Sequence, residues 1–357
     1  MHELGKMSSY PRDTLHFPPS SRPFLDSYLP PLPDDKDTTK QDELSRPFTT
    51  LTFATSLDSS LSLAPGVRTT LSGPQSKAMT HYLRFRHEAI LIGVGTAIAD
   101  DPGLNCRIEG ASGYEEQTSP PPDPAIQALA VEASSNLELK DLTKAVDSSQ
   151  ASPEQLRPFQ NHIDRVQMEN IRQRQASLHQ PRPIIIDPNA RWEPRESRKI
   201  IALVKQGKGK APFVIISKLT SPPDEARELL EKYGGKYIAL DTVTSNNPDD
   251  SVDAAHQHFD WNVILNVLAT KENIKSIMIE GGGSIINSLL SEQRYSALID
   301  SVIVTIAPTW LGQGGVVVSP QRRVDSYGCA IPASRLTDVK WHPFGEDVVL
   351  CGRIKRS

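Results

Sequence analysis

The chain has 357 residues, enough for one large domain or two small ones, and its 38% hydrophobic content supplies a sizeable core. A formal charge of -4 offers no basic field for nucleic acid and no polybasic membrane anchor, which leaves small-molecule chemistry as the expected work. Cys106, Cys329 and Cys351 are widely spaced and form no CxxC pair, so neither a disulfide framework nor a zinc site is indicated, and a reducing, cytoplasmic setting is expected.

The opening MHELGKMSSYPRD has no apolar signal region, and no run approaches the ~18 apolar residues of a membrane span. Residues 1–45 carry seven prolines, few large aliphatics and the charged run PDDKDTTKQDE, a composition that predicts a disordered tail. The character changes at Arg46. TTLTFATS (49–56) alternates Leu51 and Phe53 with Thr50 and Thr52, the period of a strand with one face inward. After the turn chemistry of Leu57-Asp58-Ser59-Ser60, SGPQSKAMTHYLRFRHEA predicts a helix. Pro74 stands near its first position, and Ala78, Tyr82 and Phe85 share its inner face. AILIGV (89–94) is a continuous apolar run, which marks a strand covered on both faces in the middle of a sheet. Its far end, GTAIADDP (95–102), reads as a small-residue turn closed by Pro102, and a loop at the carboxyl edge of a buried sheet is a natural ligand mouth.

Residues 109–180 hold the PPPDP cluster and the polar run VDSSQASPEQ, with six Lys or Arg against eleven Asp or Glu. This stretch reads as a low-order insertion in which 125–146 is the segment able to form a helix. Order returns with PRPIIID, a short buried strand at 184–186. APFVIISK (211–218) is a strand, PPDEARELLEKYG (222–234) a helix ended by Gly234, and KYIAL (236–240) another strand. Asp260 caps a helix in which Trp261, Ile264, Leu265 and Leu268 fall at i, i+3, i+4 and i+7. SIMIE (276–280) is a buried strand, three glycines and Ser284 open the helical IINSLLSEQ, and DSVIVTIAP (300–308) is a strand. The glycine turn LGQGG leads to a last strand in VVLCGRIK (348–355). Alternating strand and helix predicts one α/β domain over 46–357, with a mostly parallel central sheet flanked by helices and an antiparallel C-terminal strand.

The strongest local signal is IMIEGGGS, a buried strand running through glycines into a helix. N–H groups at a helix start attract phosphate, and glycine lets backbone approach it closely. A tight turn without a ligand is the plainer account, but three adjacent glycines weaken a turn entropically, which favours the ligand. Neither GxGxxG nor GxxxxGK[ST] occurs. Thr96 and Asp100 place a hydroxyl and a carboxylate four residues apart, suited to sugar or amide groups, and Arg107 suits a phosphate; a solvated Asp100-Asp101-Pro102 turn is the alternative. His256-Gln257-His258 resembles a metal pair without a third ligand nearby, so no metal is expected. GKGK (207–210) reads as a surface loop, with a grip on a cofactor 2′-phosphate as its functional alternative.

Six motifs, SLD (56–58), HYLR (81–84), GVGT with AxADDPxLNCR (93–107), PRPIIID (181–187), IEGGGS (279–284) and APTWLGQGG (307–315), together resemble the reductases of riboflavin biosynthesis. That family acts on 2,5-diamino-6-ribosylamino-4(3H)-pyrimidinone 5′-phosphate and is similar to the C-terminal domain of the bacterial bifunctional deaminase-reductase. The resemblance covers residues 46–355 apart from the insertion. It implies a dihydrofolate-reductase-like fold and an NADPH-dependent oxidoreductase that is cytoplasmic and homodimeric. By the same resemblance, Ala54, Thr96 and Asp100 and the loop Gly281, Gly282, Gly283, Ser284 and Ile285 line the NADPH. Arg84, Leu104, Arg107 and Glu280 contact the substrate, with both arginines facing the ribose phosphate. Asp58 or Glu280 would relay the proton that accompanies hydride transfer to C1 of the ring-opened ribosylamine. Where the family often has glycine after SLD, this chain has Ser59. The HxE and PCxxC of a zinc deaminase do not occur. Two other readings are a dihydrofolate-reductase-like enzyme for another heterocycle and a non-catalytic, nucleotide-binding interaction protein.

Overall fold

The computed structural model describes residues 11–31, 46–116, 178–244 and 257–355. Along the chain run α1 (Pro23–Asp26), β1 (Phe48–Thr55), β2 (Ser60–Ser62), α2 (Pro74–Arg86), β3 (Ala89–Gly93) and α3 (Val94–Asp100). They are followed by β4 (Arg182–Ile186), α4 (Lys199–Lys205), β5 (Phe213–Ser217), α5 (Asp224–Lys232) and β6 (Lys236–Leu240). A short ladder, β7 (Val243–Thr244) with β8 (Gln257–His258), leads to α6 (Trp261–Thr270), β9 (Ser276–Gly281), α7 (Gly283–Ser291), α8 (Gln293–Ser296) and β10 (Ser301–Ile306). Last come β11 (Val316–Val317), β12 (Arg323–Val324) paired with β13 (Ala330–Ile331), β14 (Leu336–Phe344) and β15 (Asp347–Ile354).

Nine strands form one sheet in the order β14-β15-β10-β1-β9-β3-β4-β5-β6. Every neighbouring pair from β10 to β6 is parallel, and β15 and β14 close the other side antiparallel. The apolar run at 89–93 lies where its composition requires, between β9 and β4. Alternate residues feed two cores. Leu51, Ala89, Leu91, Ile277 and Ile279 pack with α6, α7 and α8, while Ile90, Ile92, Ile185 and Val214 pack with α3, α4 and α5. Burial on both faces, at about 25 cal/mol per Å², is what holds such a parallel sheet together. Helix ends follow the chain's own signals. Pro74 opens α2, the Asp260 side chain accepts the Asn262 N–H at 2.7 Å to cap α6, and Gly234 ends α5 with φ +78.

Several expectations need correction. The stretch GTAIADD is not a loop but α3, which stops at Asp101 in the left-handed region, φ 40, one residue before Pro102. β1 is not one-faced. It lies between β10 and β9, and Thr50 is buried in a chain of hydroxyls, accepting or donating to His87 Nε2 at 2.8 Å and Ser301 Oγ at 2.9 Å. The prolines and polar residues of the N-terminal stretch do not keep it apart from the core: Phe17, Leu25, Tyr28 and Leu29 are all buried within residues 11–31. Phe17 stacks on Tyr82 with centroids 5.0 Å apart, and Phe24 on His342 at 4.5 Å, so a few aromatics supply the area that aliphatics usually do. The rest of the expected tail, residues 1–10 and 32–45, lies outside the described residues. So do 117–177 of the expected insertion, including 125–146, and His256. Its first residues are part of the core, with Ala111 and Tyr114 buried. α4 and the edge strand β14 have no counterpart in the sequence reading.

Candidate active site

Parallel strands end on a common edge, and the turns that follow β1, β3, β9 and β10 meet there. β9 reaches it through a bulge. Leu91 of β3 faces Ile279 but Ile92 faces Gly281, so Glu280 is the extra residue and its side chain is re-aimed toward α2. Gly281 and Gly282 follow with φ 94 and φ 40, a region that glycine enters without penalty. Each of the three glycines also has a neighbour that excludes a side chain. A Cβ on Gly281 would stand 2.6 Å from Ile286 Cδ1, one on Gly282 2.9 Å from Thr96 Oγ1, and one on Gly283 2.4 Å from Val316 Cγ1. The Thr96 hydroxyl therefore lies directly against the entry of α7, whose first amides have no side-chain cap.

That arrangement fits the pyrophosphate of a dinucleotide. Backbone without Cβ, uncapped helix amides and a hydroxyl converge at one point, with Ser284 exposed beside them and Ile285 buried beneath, next to Gly93. Ala54 is half-buried near the carboxyl end of β1, paired with Thr305 of β10. Asp100 lies one helical turn beyond Thr96. Burial raises its carboxyl above the ordinary range, against the pull of the Arg68 and Lys199 charges.

The expected substrate residues divide. Arg84 does not present its guanidinium as a free phosphate ligand. Its Nε and Nη2 donate to the two Glu280 oxygens at 2.6 and 2.7 Å, and its Nη1 donates to the Asn105 carbonyl at 3.0 Å. This fork-to-fork pair joins α2 to the bulge of β9, with side chains 13% and 17% exposed. Leu104 is 2% exposed in the core beside Ile92 and Ala97, with φ 47, so only its backbone can face a ligand. Arg107 donates from Nη1 to the Asp13 carbonyl at 3.2 Å, and its backbone N–H donates to His81 Nδ1 at 3.1 Å. Cys106 is buried, and that burial pushes its thiol up to about 11, which removes it as a nucleophile.

Asp58 is tied by its carboxylate to the segment that follows β10. Its carboxylate accepts from the Ser56 hydroxyl and from the Leu311 and Gly312 amides at 3.2 and 2.7 Å. Those bonds, the Ser56 one foremost, hold its carboxyl below the usual range. The APTWLGQGG segment is thereby fixed over the site and continues into β11, which pairs with β2 and leans on Gly283. Sequence reasoning missed Asn105, Asp13 and Val316. Asn105 was within the LNCR motif, but nothing local marks the other two. Of GKGK, Lys208 lies 4.0 Å from Asp13 and its carbonyl accepts from Asn105 Nδ2 at 3.1 Å, while Lys210 is close to Arg182, the first residue of β4, and Glu88, just before β3.

Residues 47–350 match the family described as RibD C-terminal domain. A 2,5-diamino-6-ribosylamino-4(3H)-pyrimidinone 5′-phosphate reductase of Debaryomyces hansenii is 34% identical over 94% of this chain and 97% of its own. The protein of that name from Candida glabrata is 35% identical over 93% of this chain and 96% of its own. Among solved structures, the Saccharomyces cerevisiae riboflavin biosynthesis reductase Rib7 superposes with a TM-score of 0.56 at 26% identity, covering 94% of this chain and 99% of that one. A RibD structure from Acinetobacter baumannii shares the fold, with a TM-score of 0.52 at 17% identity over 89% of this chain and 60% of its own. The bulged β9, the glycine entry of α7 and the Thr96 hydroxyl on α3 are thus features of a chain that belongs to the RibD C-terminal domain family.

Proposed function

We propose that the chain is an NADPH-dependent reductase that converts 2,5-diamino-6-ribosylamino-4(3H)-pyrimidinone 5′-phosphate to its ribitylamino form. The observation that carries this reading is the 2.9 Å approach of Thr96 Oγ1 to the Cβ position of Gly282, which joins two distant motifs into one dinucleotide cradle. When bound, the nicotinamide supplies the hydride. The chain supplies alignment: Gly281–Ile285, Thr96, Asp100 and Ala54 hold the cofactor along the carboxyl edge, and Arg107 and Glu280 receive the substrate. Arg84 fixes the Glu280 carboxylate from one side, leaving its remaining lone pairs to accept from the substrate's amino groups. Either acid considered for the proton relay would act through a carboxylate that already accepts hydrogen bonds, Asp58 from Ser56 and the 311–312 amides and Glu280 from Arg84.

Two further parts belong to the same proposal. Among the described residues no helix is long and apolar enough to cross a membrane, and the three cysteines are free, which supports a cytoplasmic enzyme. A second copy of the chain is the partner proposed for the β14 edge, where Trp341 is 60% and Val339 42% exposed. Loss of NADPH absorbance with the purified chain and the pyrimidine phosphate tests the activity, and no consumption at micromolar enzyme would remove it. For the assembly, Trp341→Asp is expected to shift sedimentation from dimer to monomer.

A further inference from the structure

Residues 101–107 belong to no helix or strand, and Leu104 stands at φ 47, so the shape of the loop that carries Leu104 and Arg107 depends on what bonds to it from outside. Part of that support comes from the N-terminal segment. Leu15 bridges Ile108 in parallel: its N–H donates to the Arg107 carbonyl at 2.8 Å, and its carbonyl accepts the Glu109 N–H at 3.1 Å. Two residues earlier, the Asp13 carbonyl accepts from Arg107 Nη1 at 3.2 Å. A guanidinium has several N–H groups, so this bond sets its direction and leaves donors for a ligand.

The Asp13 side chain extends the support to the other substrate-facing pair. Its Oδ2 accepts the Tyr114 hydroxyl at 3.1 Å, and the same hydroxyl accepts from Asn105 Nδ2 at 3.2 Å. Tyr114 is fully buried, and burial pushes its hydroxyl up to about 12, so it donates as a neutral phenol at any working pH. Asn105, also buried, gives its carbonyl to Arg84 Nη1 at 3.0 Å, and Arg84 grips both oxygens of Glu280. Among the described residues, no bond of Asp13 or Leu15 reaches Thr96 or the 281–285 loop. The support therefore ends on the residues assigned to the pyrimidine phosphate and bypasses the dinucleotide cradle.

We propose that the N-terminal segment around Asp13 and Leu15 is a positioning element for the substrate: it sets Arg107 directly, and Glu280 through Tyr114, Asn105 and Arg84. This rests on the reductase reading above, in which Arg107 and Glu280 receive the pyrimidine phosphate. Leu15→Pro removes the N–H that the Arg107 carbonyl accepts, whereas Leu15→Ala trims the side chain and keeps that N–H. In steady-state kinetics on the full chain, Leu15→Pro should raise KM for the pyrimidine phosphate about tenfold above Leu15→Ala, with kcat and KM for NADPH changed by no more than about twofold, the pattern of lost substrate binding. Calorimetric titration with the pyrimidine phosphate should show the same loss of affinity. Tyr114→Phe, which removes only the hydroxyl, should raise the same KM several-fold, and it decides the question if Leu15→Pro does not fold. A parallel rise in both KM values, no difference between Leu15→Pro and Leu15→Ala, or an unchanged pyrimidine KM in Tyr114→Phe would overturn the proposal while leaving the reductase reading intact. An unmodified chain that neither binds nor reduces the pyrimidine would remove the reductase reading, and this inference with it.

Discussion

Ser59 stands in the left-handed region, φ 61, at the turn after the SLD motif. A side chain held there costs about 1 kcal/mol or more relative to glycine. Ser59→Gly is therefore expected to stabilise the protein by roughly 1 kcal/mol, read as a higher urea midpoint; no gain would mean that the turn tolerates serine without strain. Gly282→Ala works the other way. Its φ of 40 and the Thr96 hydroxyl 2.9 Å away leave no room for a methyl, so NADPH affinity should fall at least tenfold by fluorescence titration while the circular dichroism stays unchanged. Glu280→Gln would leave the Arg84 charge without its partner in a mostly buried setting. A loss of about 3 kcal/mol in stability is expected, with a lower kcat/KM. Arg84→Lys should not rescue such a site, since lysine cannot make both bonds of the fork.

The stretch between α3 and β4 is closed by one side chain. Gln180 Oε1 accepts the Cys106 N–H at 2.7 Å, and Nε2 donates to the Cys106 and Ser112 carbonyls, each at 2.8 Å. The His179 N–H donates to Ser112 Oγ at 2.8 Å, and the His179 ring rests on Phe85. Chain leaving at 116 and returning at 178 is thus tied at its base by the bonds of His179 and Gln180. Replacing 119–176 with a short Gly/Ser linker should leave the melting temperature and turnover close to those of the full chain. Gln180→Ala, which strands several buried backbone groups, should cost about 2–3 kcal/mol. Elements differed in how far they could be read beforehand. α5 and α6 carried both period and cap, and β3, β9 and β10 were unbroken apolar runs, so their own residues sufficed. α3 was hidden because small residues and two aspartates look like a turn until Gly93 is known to be an N-cap. β14 was hidden because an edge strand with a proline and exposed polar residues has neither period nor bulk.

The sheet as a whole was legible because its alternation of strand and helix leaves few ways to bury both faces, whereas contacts between distant residues were not. Arg84 and Glu280 lie 196 positions apart, and nothing local to either announces the other. The N-terminal segment failed for the same reason: Phe17 and Phe24 find their partners in α2 and β14, far along the chain. Acid stability is another property of the whole. Burial keeps His81 and His87 down at about 2 and about 4, below the ordinary 6.5. Below pH 6.5 the unfolded chain takes up protons that the folded chain refuses, so stability should fall by up to about 1.4 kcal/mol per pH unit for each ring. The His87 share is spent near pH 4. Urea midpoints measured from pH 7 to pH 5 should decline accordingly, and a flat profile would contradict the buried neutral rings.

Tyr28 bonds to the Asp338 carbonyl and Arg353 to the Ser27 carbonyl, spanning 310 and 326 positions. During synthesis, Ser27 and Tyr28 therefore wait for partners more than 300 positions further on before they can settle. At ordinary synthesis rates that delay is on the order of 15 to 65 s, during which Phe24 and Tyr28 lack their partners in β14. A stalled or C-terminally clipped translation product would keep those rings in water, making them a natural handle for chaperones and a first point of attack for quality-control proteases.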